Sequence, residues 1–128
     1  MRLSYAMLYV KDFKGMKQFY ADMLCVEPTS QAASDDWATF EINDIRLALH
    51  AIPAAIAANI EITSPPVFRE NQAFKMIFEV TDVERERERL ESLGASTHRH
   101  NWQKAREACD MVDPEGNIFQ LRSSCSGG

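Results

Sequence analysis

Residues 5–13, Tyr-Ala-Met-Leu-Tyr-Val-Lys-Asp-Phe, return in outline at residues 75–83 as Lys-Met-Ile-Phe-Glu-Val-Thr-Asp-Val, an offset of 70. In both copies an alternating strand pattern ends in Val-x-Asp, and a helix pattern begins at once. Each copy then runs through further strand patterns to a hairpin turn. The first turn is Ile42-Asn43-Asp44-Ile45 and the second is Asp113-Pro114-Glu115-Gly116-Asn117. A repeat of this kind fixes architecture, because each copy is one supersecondary unit with an apolar face to bury. Two strand–helix–strand–strand–strand units are implied, and the seam between them is the natural place for a site.

Alternation over residues 3–10 puts Ala6, Leu8 and Val10 on one strand face and Tyr5, Met7 and Tyr9 on the other. Asp12 is the expected N-cap of a helix whose stripe is Phe13, Met16, Tyr20, Met23 and Leu24. Strands are expected at Val26–Gln31, Trp37–Ile42 and Ile45–Ala51, the last two joined by Asn43-Asp44, which tolerate positive φ. Residues 53–73 read as a linker with Pro53, Pro65 and Pro66 and a short helix near Ala54–Ala58. The second copy opens with a strand over Phe74–Val80 and a helix capped by Asp82, with Val83, Leu90 and Leu93 inward and Gly94 at its left-handed end. The outer face of that helix, Glu84 to Arg89, alternates in charge and reads as solvated. A short strand near Ser96–His100, a loop around Trp102, and strands at Arg106–Val112 and Ile118–Arg122 complete the expected order.

The chain has 128 residues and a net charge of −5, with 5 basic and 8 acidic groups in residues 1–64 and 9 and 11 in the remainder. Neither half is basic, so nothing draws it to nucleic acid or to an anionic membrane. No apolar run approaches the roughly 20 residues of a membrane span. The N-terminus lacks a signal-peptide core, and Cys25, Cys109 and Cys125 show no paired spacing. The expectation is a cytoplasmic protein with reduced thiols. There is no GxSxG elbow, P-loop or CxxC pair.

Val10-x-Asp12 with Phe19-Tyr20 and Met23-Leu24, the repeat of that plan from Val80-x-Asp82, and Asp113-Pro114-Glu115-Gly116-Asn117-x-x-Gln120-Leu121 together resemble the vicinal oxygen chelate superfamily. That superfamily includes glyoxalase I, bleomycin and fosfomycin resistance proteins, and extradiol dioxygenases. The resemblance covers about residues 3–123. It implies an α+β fold of two βαβββ modules, about 3–52 and 74–123, in one glyoxalase/bleomycin resistance-like domain. It further implies a curled mixed sheet with a cup-shaped cavity, and a homodimer.

Family enzymes hold a divalent metal in that cup, and the resemblance maps the four ligand positions onto Tyr5, Ala48, Lys75 and Gln120. Here the chain departs from the family, which has His, Gln or Glu at these places. Ala48 has no donor, Lys75 is a cation, and a tyrosine hydroxyl first has to lose a proton with a pKa near ~10. No metal or other cofactor is therefore expected at the family position. The other residues alternation assigns to the cup face include Tyr9, Trp37, Arg46, His50, Glu79 and Arg122. Aromatic walls with a few placed charges are how small-molecule pockets look. The competing view is that the charges only pair with one another, Glu41 with Arg46 and Glu79 with Lys75 or Arg122. His98-Arg99-His100 offers two imidazoles but no third donor at a familiar spacing.

The reading is metal-independent binding of a small organic molecule, as in bleomycin resistance, through Tyr5, Tyr9, Trp37, Arg46, His50, Lys75, Glu79, Gln120 and Arg122. The alternative is a metal-dependent lyase, isomerase or dioxygenase with a shifted donor set of His50, Glu79 and Gln120. A third reading is a dimeric scaffold without a ligand.

Overall fold

A computed structural model describes residues 1–29, 34–103 and 106–124, with the backbone alone at 100–103 and 106. The fold is α+β, and the chain divides into two compact units, Met1–Glu61 and Ile62–Gly128. The division falls inside the expected linker.

In the first unit β1 (Tyr5–Val10) leads into α1 (Phe13–Leu24), followed by β2 (Trp37–Ile42), β3 (Ile45–Ala51) and the short α2 (Ala54–Ala57). The Asp12 carboxylate accepts from the Gly15 amide at 3.1 Å, so the helix starts where the sequence places its cap. The sheet order is β1-β3-β2, with β1 parallel and β2 antiparallel to β3. Asn43 takes φ +53 at the β2–β3 turn, a left-handed conformation that asparagine adopts more readily than most residues. Met16, Phe19, Tyr20 and Met23 of α1 are buried together with Val10, Phe40, Leu47 and Leu49 of the sheet. Burial of each large side chain contributes roughly 1.5–3 kcal/mol.

The strand expected at Val26–Gln31 is not formed over residues 26–29, and positions 30 and 31 lie outside the described residues. One backbone bond reaches β2, from Thr29 N to Thr39 O at 2.9 Å. Pro28 has no amide hydrogen and cannot extend that bond into a ladder. Among the described residues the first sheet therefore has three strands where the duplicated pattern suggests four.

In the second unit β4 (Met76–Val80) leads into α3 (Val83–Ser92), then β5 (Ser96–Gln103), β6 (Arg106–Val112) and β7 (Ile118–Ser123). The sheet order is β4-β7-β6-β5, all neighbours antiparallel except β4 and β7. Asp82 caps α3 through the Arg85 amide at 3.0 Å, and Gly94 follows the helix at φ +113. Val83 and Leu90 are buried along with Val112, Phe119 and Leu121. The segment around Trp102, expected as a loop, continues β5 and pairs with β6 as far as Gln103 opposite Arg106. Pairing with β6 supplies the partners that a single strand read from sequence lacks. No helix among the described residues is long and apolar enough to cross a membrane.

Candidate functional site

The three strands of the first unit align as a grid on the sheet face opposite the α1 core. Register places Tyr5, Arg46 and Glu41 in one row, Met7, Ala48 and Thr39 in the next, and Tyr9, His50 and Trp37 in the third. Alternation thus delivers five of the expected residues, Tyr5, Tyr9, Trp37, Arg46 and His50, to one surface.

Each row has its own chemistry. In the ring row the half-buried His50 lies between two aromatics, 5.5 Å from Tyr9 in a tilted pair and 5.5 Å from Trp37 edge-on. Such contacts favour fixed ring orientations and leave π faces for a flat partner. The middle row is low and tight. Ala48 is fully buried, and the Thr39 hydroxyl lies 2.6 Å from that of Thr29. In the charged row Arg46 donates to the Tyr5 hydroxyl at 3.2 Å and lies 3.4 Å from Glu41. Its guanidinium also stands over the Tyr5 ring at 5.4 Å. The bond to Tyr5, with the Glu41 carboxylate adding to it, holds the Arg46 pKa above its ordinary value.

In the second unit the corresponding face is organised by an acid. Gln120 stands opposite Asp110 across β6 and β7, and Ile77 and Glu79 of β4 stand opposite Gln120 and Arg122. Asp110 accepts from the Lys75 ammonium at 3.1 and 3.2 Å and from the Gln120 amide at 3.0 Å. The Glu41–Arg46 pair considered from sequence is present, whereas Lys75 pairs with Asp110 rather than with Glu79. Glu79 and Arg122 face each other in register, yet no ion pair joins them among the described residues.

Beside this array lies a recess of about 250 Å³ lined by Phe74, Lys75, His98, Arg99, Asp110 and Ile118 together with Glu70 and Gln72. A bulge between Thr97 and Arg99 shifts the register of β5. His98 Nε2 meets Glu70 Oε1 at 2.8 Å, and its ring packs edge-on to Phe68 at 5.2 Å. The Gln72 side chain donates to Ile118 O at 2.7 Å and accepts from Ile118 N at 3.0 Å, so it pins the approach to β4 onto β7. Asp110, Glu70, His98 and Gln72 were not among the expected site residues. Asp110 had a usable signal, since the Asp113–Asn117 turn pairs Val112 with Ile118 and hence Asp110 with Gln120. For Gln72, 46 positions from its partner, the sequence carries none.

A family model described as a glyoxalase-like domain matches residues 6–122. The chain belongs to the glyoxalase-like family. No curated protein matches it by sequence. Among solved structures, this glyoxalase-like chain is similar to a glyoxalase/bleomycin resistance protein/dioxygenase family enzyme from Burkholderia phytofirmans PsJN. That match has a TM-score of 0.76 and 18% identity over 96% of this chain and 98% of the other. The fosfomycin resistance protein FosX from Mesorhizobium loti matches with TM-score 0.70 and 16% identity, over 98% and 94% of the two chains. A mutant FosX from Listeria monocytogenes, complexed with Mn(II) and a dihydroxypropylphosphonic acid, matches with TM-score 0.69 and 16% identity, over 94% and 87%. At these identities the likeness is one of fold.

The residues of this glyoxalase-like chain do not fit the metal that the fold family implies. At the four mapped positions, Tyr5 accepts from a guanidinium, Ala48 is buried and has no lone pair, and Lys75 is an ammonium. Gln120 directs its amide nitrogen at Asp110. Among the described residues no group of three His, Cys, Asp or Glu side chains is placed to hold an ion. Of the shifted donor set, Glu79 and Gln120 share one face of the second sheet, and His50 belongs to the first unit.

Proposed function

We propose that this glyoxalase-like protein binds a small organic molecule without a metal and acts by sequestration. The ring row of Tyr9, His50 and Trp37 is one contact surface, with Tyr5 and Arg46 beside it. Lys75, Glu79, Gln120 and Arg122 form another. The observation that carries this reading is the bonding of Lys75 and Gln120 to one carboxylate, Asp110. That array presents a fixed ammonium where a metal would bring like charge. At about 4 Å, such repulsion costs roughly 4 kcal/mol per charge pair at an effective dielectric near 20.

A ligand screen read by melting temperature and tryptophan emission tests the reading, with and without a chelator. Hits that survive chelation and weaken by about tenfold on Trp37→Ala, with the fold retained, support it. Near one equivalent of zinc, nickel or manganese retained after dialysis, and lost on Gln120→Ala, would move a metal enzyme ahead. The same reading includes a homodimer, since open sheets leave edge strands that association covers. Light scattering is expected to give twice the 14.5 kDa chain mass; a single-chain mass at every concentration removes the dimer.

A further inference from the structure

We infer that the recess of the second unit takes the carboxylate of a small organic monoanion, with Arg99 as its anchor. The inference rests on the small-molecule reading above and narrows it to a ligand class. The hydrogen bonding within the recess carries it. Asp110 is engaged by Lys75 and Gln120, and Glu70 by His98. Arg99 lines the same recess, is exposed, and has no hydrogen-bond or ion-pair partner among the described residues. It stands opposite Asp110 in the β5–β6 register, but the Asp110 carboxylate is already occupied.

A guanidinium without a partner among the described residues is able to take up a carboxylate. Its planar fork of donors matches a carboxylate through two parallel N–H···O bonds, which an ammonium does not reproduce. Phe74, 59% exposed, and the buried Ile118 line the recess as an apolar wall for the rest of the ligand. A volume of about 250 Å³ equals the share of about eight waters at roughly 30 Å³ each, the scale of a single-ring acid. A dianion fits less well, because its second charge would stand against Asp110 and Glu70.

Titration of the full chain with benzoate, benzamide and phenyl phosphate tests this, read by calorimetry and by backbone amide shifts of residues 96–99 and 118–120. Benzoate is expected to bind about tenfold or more tightly than benzamide, which keeps the ring and lacks the charge. Phenyl phosphate should bind no tighter than benzoate. Arg99→Gln should abolish the preference for benzoate, and Arg99→Lys should restore only part of it. An unchanged melting temperature will show that both variants fold, as expected at an exposed position. Equal binding of benzoate and benzamide, a benzoate affinity indifferent to Arg99→Gln, or no benzoate binding at all overturns the inference. A screen whose only hits are neutral molecules overturns it too, but leaves the binding reading standing. A silent screen removes both.

Discussion

The two units start from the same backbone plan and spend their outer sheet faces differently. In each, a strand ends in Val-x-Asp, the aspartate caps a helix, and a strand later in the unit returns parallel beside the first. The helix-facing sides also match in kind, with Val10, Phe40 and Leu49 in one and Met111, Phe119 and Leu121 in the other, all almost fully buried. On the opposite sides the likeness stops. The first unit sets rings around a histidine, whereas the second sets a lysine, an amide and an aspartate around one another. Core-facing positions are constrained by volume and transfer energy, so duplicated modules stay alike there. Outward positions carry no such constraint, and binding chemistry can diverge on an unchanged frame.

The hairpins offer the sharpest way to break this comparison. In the second unit Asp113 is fully buried, and its carboxylate accepts from the Glu115 amide at 2.9 Å and the Asn117 amide at 3.0 Å. It also accepts from the Asn117 side chain at 2.9 Å. Removing it strands the buried Glu115 amide and the half-buried donors of Asn117, at the cost of leaving polar groups unpaired away from water. Asp113→Ala is expected to lower stability by about 3 kcal/mol in denaturant unfolding. In the first unit Asp44 occupies the corresponding turn but is exposed. Asp44→Ala should stay within about 0.5 kcal/mol of wild type. Equal costs for the two would mean that both turns are held in the same way, against the bonding described.

The repetition of the strand–helix plan was legible because alternation and the Val-x-Asp caps are local signals. Residues on one strand face declare themselves by parity, which is why the whole first-unit grid could be read from Tyr5, Tyr9, Trp37, Arg46 and His50. The same logic failed at residues 26–29, where Pro28 interrupts donors that the apolar pattern does not reveal. It was also incomplete in the second unit. Asp110 acquires its role only through cross-strand register, and Arg99 reaches the recess only through a bulge between Thr97 and Arg99. Bulges and long-range side-chain bonds such as Gln72 to Ile118 are settled by tertiary packing, so a window of neighbouring residues does not contain them.

A smaller effect, silent at neutral pH, separates the units through their cysteines. Cys25 ends α1 in a left-handed conformation at φ +56 and is exposed. Cys109 lies fully buried on β6 against the Met111 sulfur at 3.6 Å. Burial disfavours its thiolate and pushes the thiol up from 9.0 to about 11, with the nearby Arg87 charge opposing part of that shift. The folded protein therefore keeps a proton on Cys109 that the unfolded chain has begun to release. Stability from this group is intact below about pH 9 and falls as pH rises toward about 11. Iodoacetamide at pH 8 should label Cys25 in the native protein and Cys109 only in urea, as read by peptide mass mapping. In alkaline unfolding curves, Cys109→Ala should flatten the loss of stability between those two pH values relative to wild type. Tyrosines and lysines titrate in the same range in both proteins, so the difference between the curves isolates the thiol. Equal native labelling of both cysteines, or parallel alkaline curves, would show that Cys109 is reached by water and that the β6 core is looser than the first unit's.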